Sequence, residues 1–257
     1  MVSVPEANTR RATVRAMEFV CLAAGQGTRF GDLGRYLQKC MYPVGLRPFL
    51  EHTLRAWLEG ARVDPSRDRL TLVVGHHRAQ VHAYFGSAFE GVPLRYVHQA
   101  EPLGTGHAIG VAVDGLPDET SEVLVWLADL YVGAATFRAL LDHEAGAVAT
   151  IARGADAESP RLRVTRRGDR LLRVWDGEGP WLDAGAWRVP LAVARGLRRV
   201  SAEQGEYRVL PNLQAFVDAG LDVGAVELAP WIHLGGVHPT PEANVRQVVR
   251  QLWEIDS

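Results

Sequence analysis

The sequence predicts an α/β fold, in which a Rossmann-like, mostly parallel sheet carries helices on both faces and a small antiparallel insertion. Two observations lead to this prediction. Over residues 18–152, short apolar runs typical of buried strands alternate with longer segments that have the apolar periodicity of helices. After Arg153 the runs become short and alternating, and Gly and Asp residues separate them, as is typical of antiparallel strands.

The first half begins with a βαβ unit. The apolar run Phe19–Ala23 ends in a glycine-rich turn and is expected to be the first buried strand. A helical apolar pattern follows Pro48 and extends to Leu58. We expect the helix to begin at Pro48, because proline is well tolerated in the first turn of a helix. The later strands of this half are expected at Leu70–Gly75, Leu94–Val97, Val123–Ala128 and Ala147–Ala152, and its later helices at Arg78–Phe85, from about Thr105, and at Ala135–His143.

The second half is expected to form a wall over the carboxyl edge of the sheet, where open α/β folds bind their ligands. Its antiparallel strands are expected at Leu162–Val164, Leu171–Trp175 and Ala184–Val189, followed by helices at Leu191–Val200, Asn212–Ala219 and Pro241–Trp253, with a strand at Val223–Leu228. Residues 1–17 are polar and lack apolar periodicity, so we expect a flexible extension followed by a single domain over residues 18–257.

The composition excludes several classes of protein. The chain has 257 residues, of which 47% are apolar and 23% charged, as in an average globular protein. Its longest apolar runs, Phe19–Ala24 and Val123–Ala128, have six residues each, far below the roughly 20 that span a bilayer. No secretory signal is recognised, so a cytoplasmic location is expected. Two cysteines are too few for a disulfide framework, and a net charge of −2 gives no basic surface for nucleic acid.

Lysine is almost absent from the chain. Of the 28 basic residues, 27 are Arg and only Lys39 is Lys, a bias typical of GC-rich genomes. The single lysine is either a chance survivor or a position that needs an ammonium group on a flexible stem, which a planar guanidinium does not reproduce.

The glycine-rich turn Leu22–Phe30 reads LAAGQGTRF. A G-x-G pattern also occurs in ordinary tight turns, so this motif alone is weak. Phe30 occupies the third glycine position of the dinucleotide-binding fingerprint, and the chain has no P-loop motif. There remains a loop of small residues whose backbone N–H groups can approach phosphates, with the cations Arg29 and Lys39 nearby. Such an arrangement suits a triphosphate.

These residues resemble the sugar-1-phosphate nucleotidyltransferases. Their opening LAAGxGTR motif matches Leu22–Arg29, and Lys39 matches the lysine of a proline–lysine pair in which Gln38 replaces the proline. A second block, Gln99–Ala108, is similar to the base-binding segment of N-acetylglucosamine-1-phosphate uridylyltransferases. The resemblance covers residues 18 to about 245 and implies that residues 18–152 bind the nucleotide and residues 153–257 the acceptor. The implied nucleotide-binding residues are Leu22, Ala23, Ala24, Gly25, Gly27, Thr28, Gln99, Gly104 and Thr105.

A third block, Leu127–Val132, contains Asp129 directly after an apolar strand. The family has an aspartate here that holds Mg²⁺ against the nucleotide phosphates, and a carboxylate is the hard oxygen ligand that Mg²⁺ prefers. Asp129 is therefore the candidate metal ligand. The alternative interpretation is an aspartate that ends the strand and caps the next turn.

The second half departs from the family at several positions. The implied acceptor-binding residues are Asp176, Asp183, Trp187 and His233. Asp176 stands where relatives have a glutamate, and Asp183 where they have an asparagine. The segment Leu162–Val164 replaces a glycine-containing turn that approaches the sugar phosphate in relatives. These departures, with the tryptophans at 175, 181 and 187, suggest a pocket for something other than an ordinary hexose phosphate.

His233 stands where relatives have the second metal ligand, an aspartate or asparagine. An imidazole is a poor Mg²⁺ ligand, so the metal would be held by Asp129, the nucleotide and water, or a different ion would be favoured. His233 could instead contact the acceptor phosphate, or it could be a structural residue packed beside Trp231.

The resemblance implies an enzyme that transfers a nucleoside monophosphate from a nucleoside triphosphate to a sugar-1-phosphate, releasing pyrophosphate. Arg29, Lys39 and Asp129 are the implied catalytic residues, with Mg²⁺ as cofactor and no nucleic acid or membrane as partner. Two alternatives remain open. One is a cytidylyltransferase for a phosphonate or alcohol phosphate, and the other is a silent homologue that binds a nucleotide to regulate a partner.

Overall fold

The structure, a computed structural model, describes residues 16–154, 160–198, 205–235 and 240–256, without the side chains of Ala16, Arg29, Pro160 and Asp256. Residues 1–15 of the expected extension lie outside the described part, whereas Ala16 and Met17 already belong to the first strand. No helix of the described ranges is both long and apolar enough to cross a membrane.

Fourteen strands and seven α-helices are formed by the described residues. The strands are β1 (Ala16–Ala23), β2 (Pro43–Val44), β3 (Arg47–Pro48), β4 (Leu70–Val74), β5 (Ala88–Phe89), β6 (Val92–His98), β7 (Thr120–Leu127), β8 (Leu130–Tyr131), β9 (Ala147–Arg153), β10 (Thr165–Arg167), β11 (Arg170–Arg173), β12 (Trp181–Pro190), β13 (Val223–Glu227) and β14 (Ile232–His233). The helices are α1 (Phe49–Gly60), α2 (Arg78–Phe85), α3 (Thr105–Val113), α4 (Ala134–Asp142), α5 (Leu191–Gly196), α6 (Val209–Asp218) and α7 (Pro241–Asp256).

One ten-stranded sheet forms the centre of the fold, with the strand order β10-β11-β13-β9-β12-β7-β1-β4-β6-β5. Strand β1 pairs in parallel with β4 and β7, β4 with β6, and β13 with β9. The α/β class expected from the sequence is confirmed. Strand β4 lies inside the sheet and all five of its residues are buried, and four of the five are apolar, as is typical of a strand covered on both faces.

Helices cover both faces of the sheet. Alternate residues of β1 point to opposite sides, with Val20 in one core cluster and Cys21 in the other. The first cluster includes residues of α3, α5 and α6, and the second includes residues of α1, α2 and α4. A third cluster packs Val248 and Leu252 of α7 against Phe30 and Ile232. The helix α7 therefore packs against the end of the glycine-rich turn and against β14.

The second half differs from its expected layout. Strand β12 lies between β7 and β9 and is antiparallel to both, so it extends the central sheet in addition to bordering the carboxyl edge.

The prediction of a strand at Leu162–Val164 is wrong. A short 3₁₀ turn ends at Leu162, and only Arg163 forms an isolated bridge, with Leu182. The buried Val164 (1% exposed) accounts for the apolar pattern without a strand. The helix expected to reach Val200 ends at Gly196, since glycine favours helix termination.

Strands β8 and β14 form a separate two-stranded sheet that the sequence analysis did not predict. His233 pairs with Leu130, and Ile232 pairs with Tyr131. This pairing places His233, from the second half of the chain, beside the residues that follow β7. The backbone N–H of Leu234 donates a hydrogen bond of 2.8 Å to the carbonyl of Asp129 and continues the connection.

Candidate functional site

A cavity of about 660 Å³ opens where β1 and β7 end. The two strands are parallel and pair Leu22 with Leu127, so their carboxyl ends meet at the same edge of the sheet. Ligands of open α/β folds bind at this edge. Side chains and backbone from both halves of the chain line the cavity, namely Leu22, Ala23, Ala24, Gly25, Gln26, Thr28, Gln38, Lys39, Cys40, Gln99, Pro102, Gly104, Thr105, Ala108, Leu127, Ala128, Asp129, Arg161, Leu162, Trp175, Asp183, Ala184, Gly185, Trp187, Glu206, Arg208, Val209, Leu210, Trp231 and His233.

The glycine-rich turn forms one wall of this cavity. Leu22 to Gly25 and Thr28 all lie on its surface, as expected, while Gly27 is not among the lining residues. Gly27 has a positive φ of 67° and begins the 3₁₀ helix that follows. Its carbonyl accepts a hydrogen bond of 2.8 Å from the backbone N–H of Phe30. The side chain of Arg29 lies outside the described part of the structure.

Gln38 fixes this wall and was not among the predicted site residues. Its side chain is 3% exposed, and its amide nitrogen donates to the carbonyls of Ala23 (2.8 Å) and His76 (2.9 Å). Its backbone N–H donates to Gln80 Oε1 at 2.8 Å. The φ of Gln38, −64°, is one that proline also adopts, but proline has neither donor. The replacement of the family's proline was the only signal in the sequence.

Lys39, Asp129 and His233 lie together on the lining of the cavity. The Lys39 ammonium forms an ion pair with Asp129 Oδ2, and His233 Nε2 lies 3.1 Å from the same oxygen. All three side chains are mostly buried, with 13%, 14% and 18% of their surfaces exposed. Burial acts to raise the pKa of the Asp129 carboxyl, but the charges and hydrogen bonds of His233 and Lys39 hold that pKa well below its usual range. Asp129 is therefore ionised at neutral pH.

The space around this cluster is narrow. A side chain at Gly235 would place its Cβ 2.8 Å from Lys39 Nζ and 3.1 Å from Asp129 Oδ2.

Cys40 also lines the cavity, but burial raises the pKa of its thiol to about 12. The thiol stays protonated at neutral pH and is not a nucleophile there.

Gln99 and Gly104 lie together on a second wall. The Gln99 amide nitrogen donates to the carbonyl of Gly104 at 3.1 Å and lies 3.1 Å from His107 Nδ1. Gly104 has a φ of +96°, and a Cβ there would lie 2.6 Å from the carbonyl oxygen of Tyr207. The backbone of Tyr207 therefore packs directly against the segment that resembles the base-binding block. This contact joins residues that are about 100 positions apart, so no local pattern predicts it.

Asp183 and Trp187 lie at a bulge in β12. Asp183 pairs with Ile151 and Trp187 pairs with Ala149, so the register shifts between them. Asp183 is 8% exposed, and its Oδ1 accepts a hydrogen bond of 2.7 Å from the indole N–H of Trp187. Burial raises the pKa of the Asp183 carboxyl to about 7, although hydrogen bonds from Trp187 and the Gly185 backbone N–H act to lower it.

Two other acidic or aromatic residues of the second half lie elsewhere. Asp176 is exposed, has a φ of +51°, and is not among the residues that line the cavity. Trp181 is also absent from the lining. The guanidinium groups of Arg153 and Arg166 lie over its ring, at 4.9 and 4.2 Å from the ring centroid. Trp231 joins the cavity instead, and its ring lies parallel to that of His233 with centroids 6.3 Å apart.

The cavity has one carboxylate suited to a metal ion that arrives with a nucleotide. Within the described ranges, no group of three or more His, Cys, Asp or Glu side chains could hold a metal ion. Mg²⁺ is commonly bound through one or two carboxylates together with substrate phosphates and water, and Asp129 supplies one buried, ionised carboxylate. The residues therefore fit a nucleotide-bound Mg²⁺. His233 has the geometry of a hydrogen-bond partner of Asp129, and its nitrogen is a poor Mg²⁺ ligand.

The fold and this site define an α/β protein of the nucleotidyltransferase class. The family model of the MobA-like NTP transferase domain matches residues 19–215. The chain belongs to this family.

Individual relatives agree with this assignment. The bifunctional protein GlmU of Cereibacter sphaeroides (strain ATCC 17023) is 35% identical over 177 residues, which are 68% of this chain and 35% of that protein. GlmU of Alkalilimnicola ehrlichii is 37% identical over 155 residues, covering 60% of this chain and 31% of that protein. The chain thus spans about a third of the length of these curated relatives.

Solved structures share the fold at low sequence identity. A structure described as a glucose-1-phosphate thymidylyltransferase from Bacillus anthracis in complex with a sucrose has a TM-score of 0.72 and 18% identity, covering 91% of this chain and 96% of that one. A UDP-glucose pyrophosphorylase in complex with UDP-glucose has a TM-score of 0.76 and 15% identity, covering 93% of this chain and 98% of that one.

Proposed function

We propose that this protein transfers a nucleoside monophosphate from a nucleoside triphosphate to a sugar-1-phosphate or a similar phosphorylated acceptor, with release of pyrophosphate. The observation that carries the proposal is the Lys39–Asp129 ion pair on the lining of one cavity. The glycine-rich turn and Gln99 line that cavity, and so do Asp183, Trp175, Trp187 and Trp231. This arrangement provides room for two phosphorylated substrates around one buried cation.

The triphosphate is proposed to lie against the glycine-rich turn, with its base near Gln99 and Gly104. Backbone N–H groups and the ammonium of Lys39 bind the phosphate oxygens, so the protein needs no strongly basic surface to hold the triphosphate. The arriving phosphates compete with Asp129 for Lys39, which frees the Asp129 carboxylate. Asp129 would then hold Mg²⁺, which when bound neutralises phosphate charge and polarises the α-phosphoryl group.

A phosphate oxygen of the acceptor attacks the α-phosphorus, the new P–O bond forms, and the bond to the pyrophosphate breaks. The nucleophile is already an anion, so no general base is needed. The protein holds two anions in line and reduces their repulsion. In this mechanism Lys39 contacts the reacting phosphates, and Arg29 stabilises the leaving pyrophosphate. His233 keeps the Asp129 carboxylate oriented, consistent with its 3.1 Å contact.

Residues 18–257 are proposed to act as one domain, since β9, β12 and β13 of the second half continue the sheet of the first half. A reaction that consumes a nucleoside triphosphate is expected in the cytoplasm, and we propose this location for the protein.

Pyrophosphate release tests the proposal. The full chain is incubated with Mg²⁺ and each of five nucleoside triphosphates, against a panel of sugar-1-phosphates and small alcohol phosphates and phosphonates. Release that requires one nucleotide and one acceptor, and that is lost in Lys39→Ala, would support it. Arg35→Ala is the matched control. It also removes a positive charge from the segment before Lys39, but the Arg35 side chain is 82% exposed. Nucleotide binding without turnover of any acceptor would favour a silent homologue.

A further inference from the structure

The second-half end of the cavity contains a buried carboxylate without a cation. Asp183 is more than nine-tenths buried and accepts hydrogen bonds from Trp187 and from the backbone N–H of Gly185. Among residues 16–154, 160–198, 205–235 and 240–256, no ion pair includes Asp183. A carboxylate that leaves water without a cationic partner is unfavourable. A structural carboxylate in the core is normally paired, so this one is available to a ligand.

Aromatic rings line the same cavity as Asp183. Trp175, Trp187 and Trp231 all line it, and the Trp187 indole directly contacts Asp183 at 2.7 Å. Indole faces attract cations through their negative electrostatic potential, and a desolvated site strengthens this attraction. A carboxylate beside indoles is the combination that binds an ammonium group, whereas the hydroxyl groups of a neutral sugar need no charge.

The backbone is built to hold Asp183 in this position. Gly185 adopts a φ of +96°, and a Cβ there would lie 2.8 Å from Leu127 Cδ1, so only glycine fits without a shift. The resulting bulge allows the backbone N–H of Gly185 to donate to the Asp183 carboxyl. The carboxyl is therefore fixed by two donors before any ligand arrives, which lowers the ordering cost of binding.

We propose that the acceptor is a phosphorylated compound with a protonated amine, and that Asp183, supported by the tryptophan rings, binds this ammonium group. This inference rests on the proposed function and specifies its substrate class. The acceptor would place its phosphate near Lys39 and its ammonium group at Asp183. Such an acceptor could be an amino sugar phosphate or an amino alcohol phosphate, which share the same two charged groups.

Two pairs of acceptors test the inference, because the members of each pair differ in one amine or hydroxyl group. The sugar pair is glucosamine-1-phosphate and glucose-1-phosphate, and the alcohol pair is 2-aminoethyl phosphate and 2-hydroxyethyl phosphate. For the wild-type protein, kcat/KM with the amine is expected to exceed that with the hydroxyl by about tenfold or more in one pair. The pair that shows this difference identifies the source of the acceptor.

Asp183→Asn removes the charge but keeps the shape and the hydrogen-bond acceptor for Trp187. It is expected to abolish the amine preference, mainly by raising KM for the amine member of the pair. Asp118→Asn is the matched control, because this carboxylate is 91% exposed and distant from the cavity lining. An amine preference that survives Asp183→Asn would overturn the assignment to Asp183.

The outcomes separate the inference from the proposed function. If the hydroxyl member of both pairs is turned over with a kcat/KM equal to or higher than that of the amine member, the inference is overturned and the proposed function stays intact. If no acceptor is turned over, the proposed function fails, and calorimetry with the same four phosphates on the wild-type protein decides the inference. Tighter binding of the amine member would then support a cation site, and equal binding would overturn it. These wild-type measurements remain decisive even if Asp183→Asn does not fold.

Discussion

The side-chain amide of Gln38 donates a hydrogen bond of 2.8 Å to the backbone carbonyl of Ala23, the last residue of β1. The same amide reaches the carbonyl of His76, after β4. One buried side chain therefore joins the segment that carries Lys39 to the ends of two neighbouring strands. This connection fixes the position of the proposed phosphate-binding turn relative to the only lysine of the chain.

Gln38→Ala is expected to weaken nucleotide binding several-fold and to lower the free energy of unfolding by about 1–2 kcal/mol, because the buried hydrogen bond to Ala23 and the partly buried one to His76 are lost. Calorimetry with the preferred nucleotide and denaturant unfolding measure the two effects. Gln247→Ala, at an exposed position on α7, is the control. Wild-type nucleotide affinity in Gln38→Ala would show that the turn does not depend on this residue.

Lys39→Arg tests whether position 39 requires an ammonium group. The variant keeps the positive charge, but Lys39 Nζ already lies 2.8 Å from where a Cβ of Gly235 would be, so a planar guanidinium has little room. Turnover is expected to fall about a hundredfold or more, with an unchanged far-ultraviolet circular dichroism spectrum. Arg35→Lys, the reverse exchange at an exposed position, is expected to leave turnover unchanged.

A near-normal rate for Lys39→Arg would contradict the proposed contact with the reacting phosphates. It would also favour the interpretation in which the single lysine of the chain is a chance survivor of the compositional bias.

Local patterns predicted much of the fold. Helix α2 has the expected bounds, Arg78–Phe85, and β4 lies within the expected Leu70–Gly75. Both elements are specified by short-range periodicity, which the sequence contains directly. The position of β12 was not predictable in this way. Its apolar residues indicate a buried strand, but periodicity does not say that β7 and β9 are its antiparallel partners.

The candidate site was predictable as a set of blocks and less so as a set of contacts. The resemblance singled out Lys39, Asp129 and His233, and the structure brings all three together. It could not show that His233 hydrogen-bonds Asp129, because this depends on the two-residue strands β8 and β14, which are too short for a periodic signal. Asp176, expected near the acceptor, is exposed and outside the cavity lining.

Arg188→Met tests a structural role for a buried charge. Arg188 is 1% exposed and donates to the carbonyls of His143 (2.8 Å) and Ala145 (2.7 Å), just after α4 ends. Its guanidinium also lies 3.5 Å from Glu122. The variant keeps most of the side-chain volume but removes these buried hydrogen bonds and the ion pair with Glu122, so the free energy of unfolding is expected to fall by about 3–5 kcal/mol. Chemical denaturation measures it, and a loss below about 1 kcal/mol would contradict this role.

The raised pKa of Asp183, about 7, predicts how stability depends on pH. In the unfolded chain an aspartate titrates near a pKa of about 3.9, so between these values the folded state binds a proton that the unfolded state releases. The contribution of Asp183 to the free energy of unfolding therefore falls as the pH rises from about 4 to about 7, and stays low above that. Asp183→Asn does not titrate, so its Tm is expected to match that of the wild type near pH 4 and to exceed it by about 2–8 °C at pH 8. Thermal unfolding from pH 4 to pH 9 measures the difference, with Asp118→Asn as the exposed control. Parallel Tm profiles for wild type and Asp183→Asn would mean that the buried carboxyl is ionised at neutral pH without a ligand.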